Sequence, residues 1–115
     1  PPHGLDRTVR AVHGVREVTP DPPEELEQSE DLRRNRSPEE LAEIYSRVLF
    51  RDSHQGAHER RVLLRAMCKS FGNSVRVGLG VLVLHPSTFE IGDAVFLGSQ
   101  TFLQGRHDGH CVIGA

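Results

Sequence analysis

The chain has 115 residues, enough for one domain with a modest hydrophobic core. Its 14 basic and 16 acidic residues give a formal net charge of -2, which argues against nucleic acid or an anionic membrane as partner. The chain contains no apolar run of about 18 residues and opens with no signal segment, so we expect a cytoplasmic protein.

The first 36 residues are rich in charge and proline. Between positions 24 and 36 the aliphatic residues are Leu26 and Leu32 alone. Such a stretch buries too little apolar surface to offset the entropy lost on ordering. We therefore predict a flexible arm over residues 1–36, with room for one short helix after Pro23.

A helix start follows this arm. Ser37 has the chemistry of a helix cap, Pro38 suits the first helical position, and Glu40 can close a capping box. Apolar residues then recur on one helical face at positions 41, 44, 45, 48 and 49. The pattern predicts an amphipathic helix that ends near Asp52, before Gly56.

A second helix is predicted from about His58 to Ser70, which makes residues 37–72 a helical cap of two helices. Its apolar stripe would comprise Leu64, Met67, Cys68 and Phe71. A basic stripe formed by Arg61, Arg65 and Lys69 lies on another face. This stripe either clamps the phosphates of a ligand or is the solvated face of the helix.

Residues 73–115 have a hydrophobic pattern with a period of six. Aliphatic residues occupy positions 79, 91, 97, 103 and 113, and a second inward candidate lies two residues before most of them. The complete units are Ile91–Phe96 and Leu97–Phe102. A chain that forms three short strands per coil of a triangular prism has this period. The alternative is a pair of β-hairpins with glycine turns.

The segments Phe71–Asn73 and His85–Gly98 resemble the opening coils of the left-handed β-helix acyltransferases, and are most similar to the sugar and maltose O-acetyltransferases. The resemblance covers about the last third of the chain as repeats. Less specifically, the two predicted helices resemble the N-terminal cap of that family. The resemblance implies a mainly β fold with a helical cap: a left-handed parallel β-helix, here only its first two or so coils. We therefore expect the sequence to be part of a longer polypeptide.

The same resemblance implies an activity. The expected donor is acetyl-CoA or another acyl-CoA, and the expected acceptor is a hydroxyl or amine of a sugar-like or other small molecule. The family resemblance also implies a homotrimer with its sites between neighbouring prisms, and no metal. In the sugar acetyltransferases the catalytic histidine and the coenzyme-binding coils come later, so the base of this protein is expected to follow Ala115 if it is not in the loop described next.

Acyl transfer from a thioester needs a base and donors for the tetrahedral oxyanion. His107 and His110 are candidate bases, because they lie where ten residues, instead of six, separate two aliphatic positions. An insertion of this length is expected to leave the prism as a loop. Arg106 and Asp108 of the same loop are candidates for an anion contact and for an orienting carboxylate, in substrate binding or at an interface. A polar surface loop without chemistry remains the alternative.

His85 is a further candidate for substrate binding or an interface. It falls on an aliphatic position just before Pro86. Either His85 points inward and is hydrogen-bonded to backbone, or Leu84 is inward and His85 is displaced outward by an extra residue.

Two other functions are compatible with the sequence. A γ-class carbonic anhydrase-like zinc enzyme would explain several histidines on late coils. A non-catalytic prism would act as a scaffold or assembly module. The two cysteines, Cys68 and Cys111, have no metal-ligand spacing and are expected to be reduced structural thiols.

Overall fold

The computed structural model describes residues 8–9, 18–105 and 111–114. This part of the chain contains three helices: α1 (Pro23–Asn35), α2 (Pro38–Val48) and α3 (His54–Met67). The strands are β1 (Thr8–Val9), β2 (Ser70–Phe71), β3 (Arg76–Val77), β4 (Leu82–Leu84), β5 (Phe89–Ile91), β6 (Phe96–Leu97), β7 (Phe102–Gln104) and β8 (Cys111–Ile113). Among the described residues, no helix combines the length and apolar character needed to cross a bilayer.

The predicted start of α2 is confirmed. The Ser37 hydroxyl accepts a hydrogen bond from the Glu40 backbone N–H at 3.1 Å, and the Glu40 carboxylate accepts one from the Ser37 N–H at 2.8 Å. The second of these bonds lowers the pKa of Glu40. The predicted apolar face is buried or half-buried, and the helix ends at Val48, earlier than Asp52.

Helix α3 begins and ends earlier than predicted. Its cap is Ser53, whose hydroxyl accepts from the Gly56 N–H at 2.9 Å, so this glycine lies in the first turn instead of before the helix. A Cβ at Gly56 would lie 2.2 Å from the Arg51 carbonyl oxygen, and the close approach explains why glycine fits. The helix ends at Met67, so Phe71 belongs to β2 and not to the helical stripe.

Helix α1 lies within residues 1–36 and starts at Pro23, after which the sequence left room for one short helix in an otherwise flexible arm, and it packs against α3. Its docking uses hydrogen bonds to backbone. Ser29 is buried and donates to the Val62 carbonyl at 2.9 Å. Arg33 donates to three carbonyls at the end of α3, those of residues 65, 66 and 68. These attachments are polar, so counting the aliphatic residues of this stretch underestimates how firmly α1 is bound to α3.

The strands form three parallel sheets, with orders β1-β8-β5-β2, β3-β6 and β4-β7. The chain contributes a strand to each sheet in turn through β2, β3 and β4, and again through β5, β6 and β7. Partners in the first two coils lie twenty residues apart in sequence, namely Phe71 with Ile91, Val77 with Leu97, and Val83 with Leu103, whereas β5 and β8 are offset by 22 residues. These parallel pairings exclude antiparallel hairpins between these strands.

The register of the first coil corrects one expectation. The six-residue period predicts that Leu79 shares an inward column with Leu97. In the structure the ladder partner of Leu97 is Val77, which is buried, and Leu79 lies in the turn after β3. The corner between β4 and β5 contains two extra residues, so eight residues instead of six separate Val83 from Ile91. Counting back from Ile91 in sixes therefore shifts the first coil by two positions.

The helices cover the outer edge of the first coil. The Tyr45 hydroxyl donates to the Val81 carbonyl at 2.5 Å, and the Arg60 guanidinium donates to the Val77 carbonyl at 3.3 Å. The backbone N–H of Gly80 donates to the Leu49 carbonyl at 2.8 Å. These bonds give hydrogen-bond partners to backbone N–H and C=O groups at the edge of the first coil that no described strand pairs with.

The interior between helices and sheets is apolar. Its fully buried side chains include Leu64, Val75, Val81, Phe89 and Val95. Cys68 joins this core as a thiol, and burial raises its pKa to about 12, so it is an inert structural thiol.

Candidate functional site

The candidate site is the corner between β4 and β5, formed by residues 85–88 and called the His85 corner below. His85 has a left-handed backbone, with φ 55° and ψ 54°, and a single turn of 3-10 helix over Pro86–Thr88 follows it. The Thr88 hydroxyl donates to the His85 carbonyl at 3.3 Å, which closes the turn. The histidine is half-buried.

The left-handed backbone is a property of the corners in general. Ser74 and Ala94 have φ of 60° and 59° at one corner, and Gly80 and Gln100 have φ of 70° and 62° at the next. The conformation of His85 therefore follows from its place in the coil and does not by itself mark a functional residue.

The structure bears out the extra length expected in the second reading of His85, since this corner contains two extra residues, but it corrects the residue that faces the core. In β4 the residue packed against the core is Val83, whereas Leu84 is 42% exposed. His85 itself lies in the corner and not on a strand. The six-residue period puts position 85 in the inward column. The structure puts Val83 there, two residues earlier, so neither Leu84 nor His85 is inward.

The His85 corner lies directly against Gly105. The Gly105 N–H donates to the Leu84 carbonyl at 2.8 Å, which continues the β4–β7 ladder by one residue. A Cβ at Gly105 would lie 2.4 Å from both the His85 carbonyl oxygen and the Thr88 hydroxyl. The absence of a side chain at the buried Gly105 thus permits the end of β7 to lie against the His85 corner.

Four of the predicted site residues, Arg106, His107, Asp108 and His110, lie outside the described residues. Gly105, which lies against the His85 corner, immediately precedes them in the sequence. The sequence treated His85 and the loop predicted to contain them as separate candidates. The signal that joins them is the twenty-residue offset of the ladder, which puts position 105 above position 85.

A cavity of about 150 Å³ lies between the His85 corner and the helices. Its lining includes Pro86 and Ser87 from the corner, and Arg36 and Met67 from the helical part. Ligand pockets for drug-sized molecules are typically about 300–1,000 Å³. This cavity can therefore admit only a small part of a substrate.

Two residues of the predicted basic stripe, Arg61 and Arg65, are bound to carboxylates of this chain, whereas Lys69 follows the end of α3 and is 61% exposed. The Arg61 guanidinium donates to the buried Glu25 carboxylate at 2.5 Å. Arg65 donates to Asp21 at 2.5 Å and lies over the Phe71 ring, 5.0 Å from its centroid. These two arginines hold residues 21–25 against α3.

The chain before α1 is attached to the first turn of the coils. The Asp21 carboxylate accepts from the Ser74 N–H at 3.1 Å, and the Asp21 N–H donates to the Asn73 side chain at 3.0 Å. Thr19 exchanges two hydrogen bonds with the Ser74 side chain, at 2.9 and 2.7 Å. The polar turn at Asn73–Ser74 is thereby bound to the start of the helical region.

The zinc alternative needs a cluster of ligand side chains. Among the described residues, no three His, Cys, Asp or Glu side chains lie close enough to bind one metal ion. His107 and His110, on which that alternative depends, lie outside the described residues.

Comparison with protein-family models, with curated proteins and with solved structures finds no match to this chain. Its function has to be inferred from its own residues.

Proposed function

We propose that this protein is an acyltransferase of the hexapeptide-repeat type. It would transfer an acetyl or other acyl group from acyl-CoA to a hydroxyl or amine of a sugar-like or other small acceptor. The observation that carries the proposal is the stacking of the loop start at Gly105 on the His85 corner. In this proposal, the His85 corner and the loop predicted to follow Gly105 form one wall of a cleft.

The sheet geometry supports the proposed fold, a left-handed parallel β-helix of which these are the opening coils. Three sheets are visited in turn, their strands are parallel, and ladder partners are twenty residues apart between the first two coils and 22 apart between β5 and β8. A coil with three walls of about six residues each, plus an enlarged corner, has these features. The helices would then be the cap that protects the first coil.

In the proposed reaction a base removes the proton of the acceptor, whose oxygen or nitrogen attacks the thioester carbonyl, and the CoA thiolate leaves. His107 and His110 are the proposed bases, with Asp108 as orienting carboxylate and Arg106 as anion contact. His85 would contact substrate or a neighbouring subunit from the adjoining corner.

The proposed assembly is a homotrimer. Three of the four outward residues of the β4–β7 sheet are apolar, with Leu82 49% exposed, Leu84 42% and Phe102 58%, and the fourth is Gln104. Strand β4 leads into the His85 corner, and β7 ends next to Gly105, which lies against that corner. A neighbouring subunit on this face would therefore place the corner beside the contact between subunits, where a cleft is needed. The proposed compartment is the cytoplasm, where acyl-CoA is available and thiols such as that of Cys68 stay reduced.

The test compares two glycine substitutions in the full chain. Gly105→Ala introduces a Cβ 2.4 Å from the His85 carbonyl, whereas a Cβ at Gly98 would meet its nearest neighbour at 3.7 Å. We expect Gly105→Ala to lower kcat/KM for acetyl transfer by roughly 100-fold, because a displacement of about 1 Å in a site can have that effect. Gly98→Ala should leave it within about twofold of the original. The readout is release of the CoA thiol with a panel of sugar and amine acceptors.

Three outcomes would contradict the proposal. One is no thermal shift with acetyl-CoA and no thiol release with any acceptor. The others are equal activity of Gly105→Ala and the unsubstituted protein, or equal losses for both glycine variants. A stable trimer that does not bind acetyl-CoA would favour the scaffold function, which the exposed apolar face of β4 and β7 also supports.

A further inference from the structure

A second cavity lies among the three helices and has a volume of about 370 Å³, against about 150 Å³ for the one beside the His85 corner. Sites for small molecules are typically about 300–1,000 Å³. The two cavities share no lining residue. A ligand in the larger cavity is therefore independent of acyl transfer, because it touches neither the His85 corner nor Gly105.

The aliphatic part of the lining comes from all three helices. Leu32 of α1 and Ile44 of α2 are half-buried, whereas Val48 of α2 and two residues of α3, Val62 and Leu63, are buried. Apolar surface that is only partly covered gains free energy when a ligand removes it from water. This wall therefore favours a ligand with an aliphatic body.

The charged side chains of the lining are acidic. They are Asp31 of α1 and Glu59 of α3, and the described lining includes neither lysine nor arginine. Arg51 donates to Oε1 of Glu59 at 2.6 Å, and Arg34 lies 3.8 Å from Oδ1 of Asp31, beyond hydrogen-bond length. A carboxylate has two acceptor oxygens, so both groups keep the capacity to accept a hydrogen bond from a cation in the cavity.

A third carboxylate lies behind the imidazole that lines the cavity. Nδ1 of His58 is 3.7 Å from Oε1 of Glu25, whose side chain is 1% exposed. Arg61 donates to that same Oε1, whereas Oε2 of Glu25 is buried and accepts no hydrogen bond from the described residues. A buried acceptor without a donor is costly, so this negative charge is only partly compensated and favours a cation nearby.

We propose that this cavity is a binding site for a small amphipathic amine, a molecule with an aliphatic body and one ammonium group. The body packs against Val48, Val62 and Leu63. The ammonium donates charge-assisted hydrogen bonds to Asp31 and Glu59. Both the apolar wall and the charge of the lining select this class of ligand over an anion of the same size.

The first experiment compares hexylamine, 1-hexanol and hexanoate, which share a chain length and differ in charge. Each is titrated into the full chain at about pH 8, where amines are protonated and histidine side chains are normally neutral. Methyl NMR follows the titration. We expect saturable shifts at Ile44, Val48 and Val62, and at least about tenfold tighter binding of hexylamine than of the other two, the effect of a hydrogen bond to a charged group.

Three results of this titration overturn the proposal. One is the absence of a saturable shift with hexylamine. Another is comparable affinity for hexanol or hexanoate, which would show that the carboxylates do not select the ligand. The third is a set of shifts as large at Leu82 and Leu84, on the exposed sheet face, as at the cavity.

A pair of double variants tests the carboxylates. Asp31→Asn with Glu59→Gln should weaken hexylamine binding by at least about tenfold and leave hexanol binding unchanged. The control, Glu39→Gln with Glu43→Gln, removes the same net charge from exposed positions outside the lining, and one of its members is also paired with an arginine. Its hexylamine affinity should stay within about twofold. Equal losses for the two double variants overturn the assigned role of the carboxylates.

A pair of phenylalanine variants tests the location. Ile44→Phe fills the cavity and should abolish hexylamine binding, whereas Leu26→Phe, on α1 and outside the lining, should not change it. Hexylamine binding that survives Ile44→Phe places the ligand elsewhere and overturns the proposal. Circular dichroism checks the fold, since extra volume near a core can destabilise it. The titration of the unsubstituted chain decides the question even if Ile44→Phe does not fold.

Discussion

Two arginine–carboxylate pairs of this protein are expected to contribute differently to the free energy of unfolding, because one is buried and the other is exposed. Arg65 and Asp21 form a pair in which both side chains are 9% exposed, and Arg65 also donates to the Gly72 carbonyl at 2.7 Å. Arg47 and Glu43 are equally close, at 2.6 Å, but are 67% and 66% exposed. Removing one member of a buried pair leaves an uncompensated charge, whereas exposed pairs contribute little.

We predict that Arg65→Met lowers the free energy of unfolding by about 3 kcal/mol, because it leaves the Asp21 carboxylate buried without its cation. The matched control, Arg47→Met, should change it by less than about 0.5 kcal/mol. Urea denaturation followed by circular dichroism measures both. The Asp21→Asn background should reduce the cost of Arg65→Met, and equal losses for the two arginine variants would refute the assigned role of Arg65.

At the scale of elements, the helices differ in what defines them. Helix α2 carries its own start signal and apolar face, so its local sequence is sufficient to predict it. Helix α1 begins after Pro22 without a side-chain cap hydrogen bond. What holds α1 in place is α3, through the bonds of Arg33, Ser29 and Glu25.

The start of α2 gives a prediction for an element. Ser37→Ala removes both the acceptor for the Glu40 N–H and the reciprocal geometry of the capping box, and should lower the free energy of unfolding by about 1 kcal/mol. Ser46→Ala is the control, since this serine is exposed and bonds only the Glu43 carbonyl within the helix. Its effect should stay below about 0.5 kcal/mol. Thermal and urea unfolding report both, and a Ser46→Ala loss as large as that of Ser37→Ala would count against the cap.

At the scale of the whole molecule, the described part has a covered side and an exposed apolar side. The helices cover the first coil, and the core lies between them and the sheets. Leu82, Leu84 and Phe102 instead point outward from the β4–β7 sheet. Contiguous exposed apolar surface of this kind is typical of an interaction site.

We predict that Phe102→Lys dissociates the proposed trimer to monomers while the chain stays folded, because a charge on the apolar face opposes its burial. The control is Leu26→Lys, which replaces an apolar side chain 40% exposed on α1. It should leave the assembly intact. Light scattering coupled to size exclusion measures the mass, and circular dichroism checks the fold. If Phe102→Lys remains trimeric, the β4–β7 face is not the interface between subunits.

Local chemistry alone was enough to predict the cap and apolar face of α2, and the inward positions of Phe89, Ile91, Val95 and Leu97 in the second coil. These features depend on residues a few positions apart, which is the range over which helical and strand periodicity act. Tertiary contacts decided the rest. The first-coil register depends on the size of the corner after Leu84, and the roles of Arg61 and Arg65 depend on carboxylates about forty residues away in sequence. The stacking of Gly105 on His85 likewise arises only when one coil lies on the next, because neither residue has a distinctive local pattern that identifies its partner.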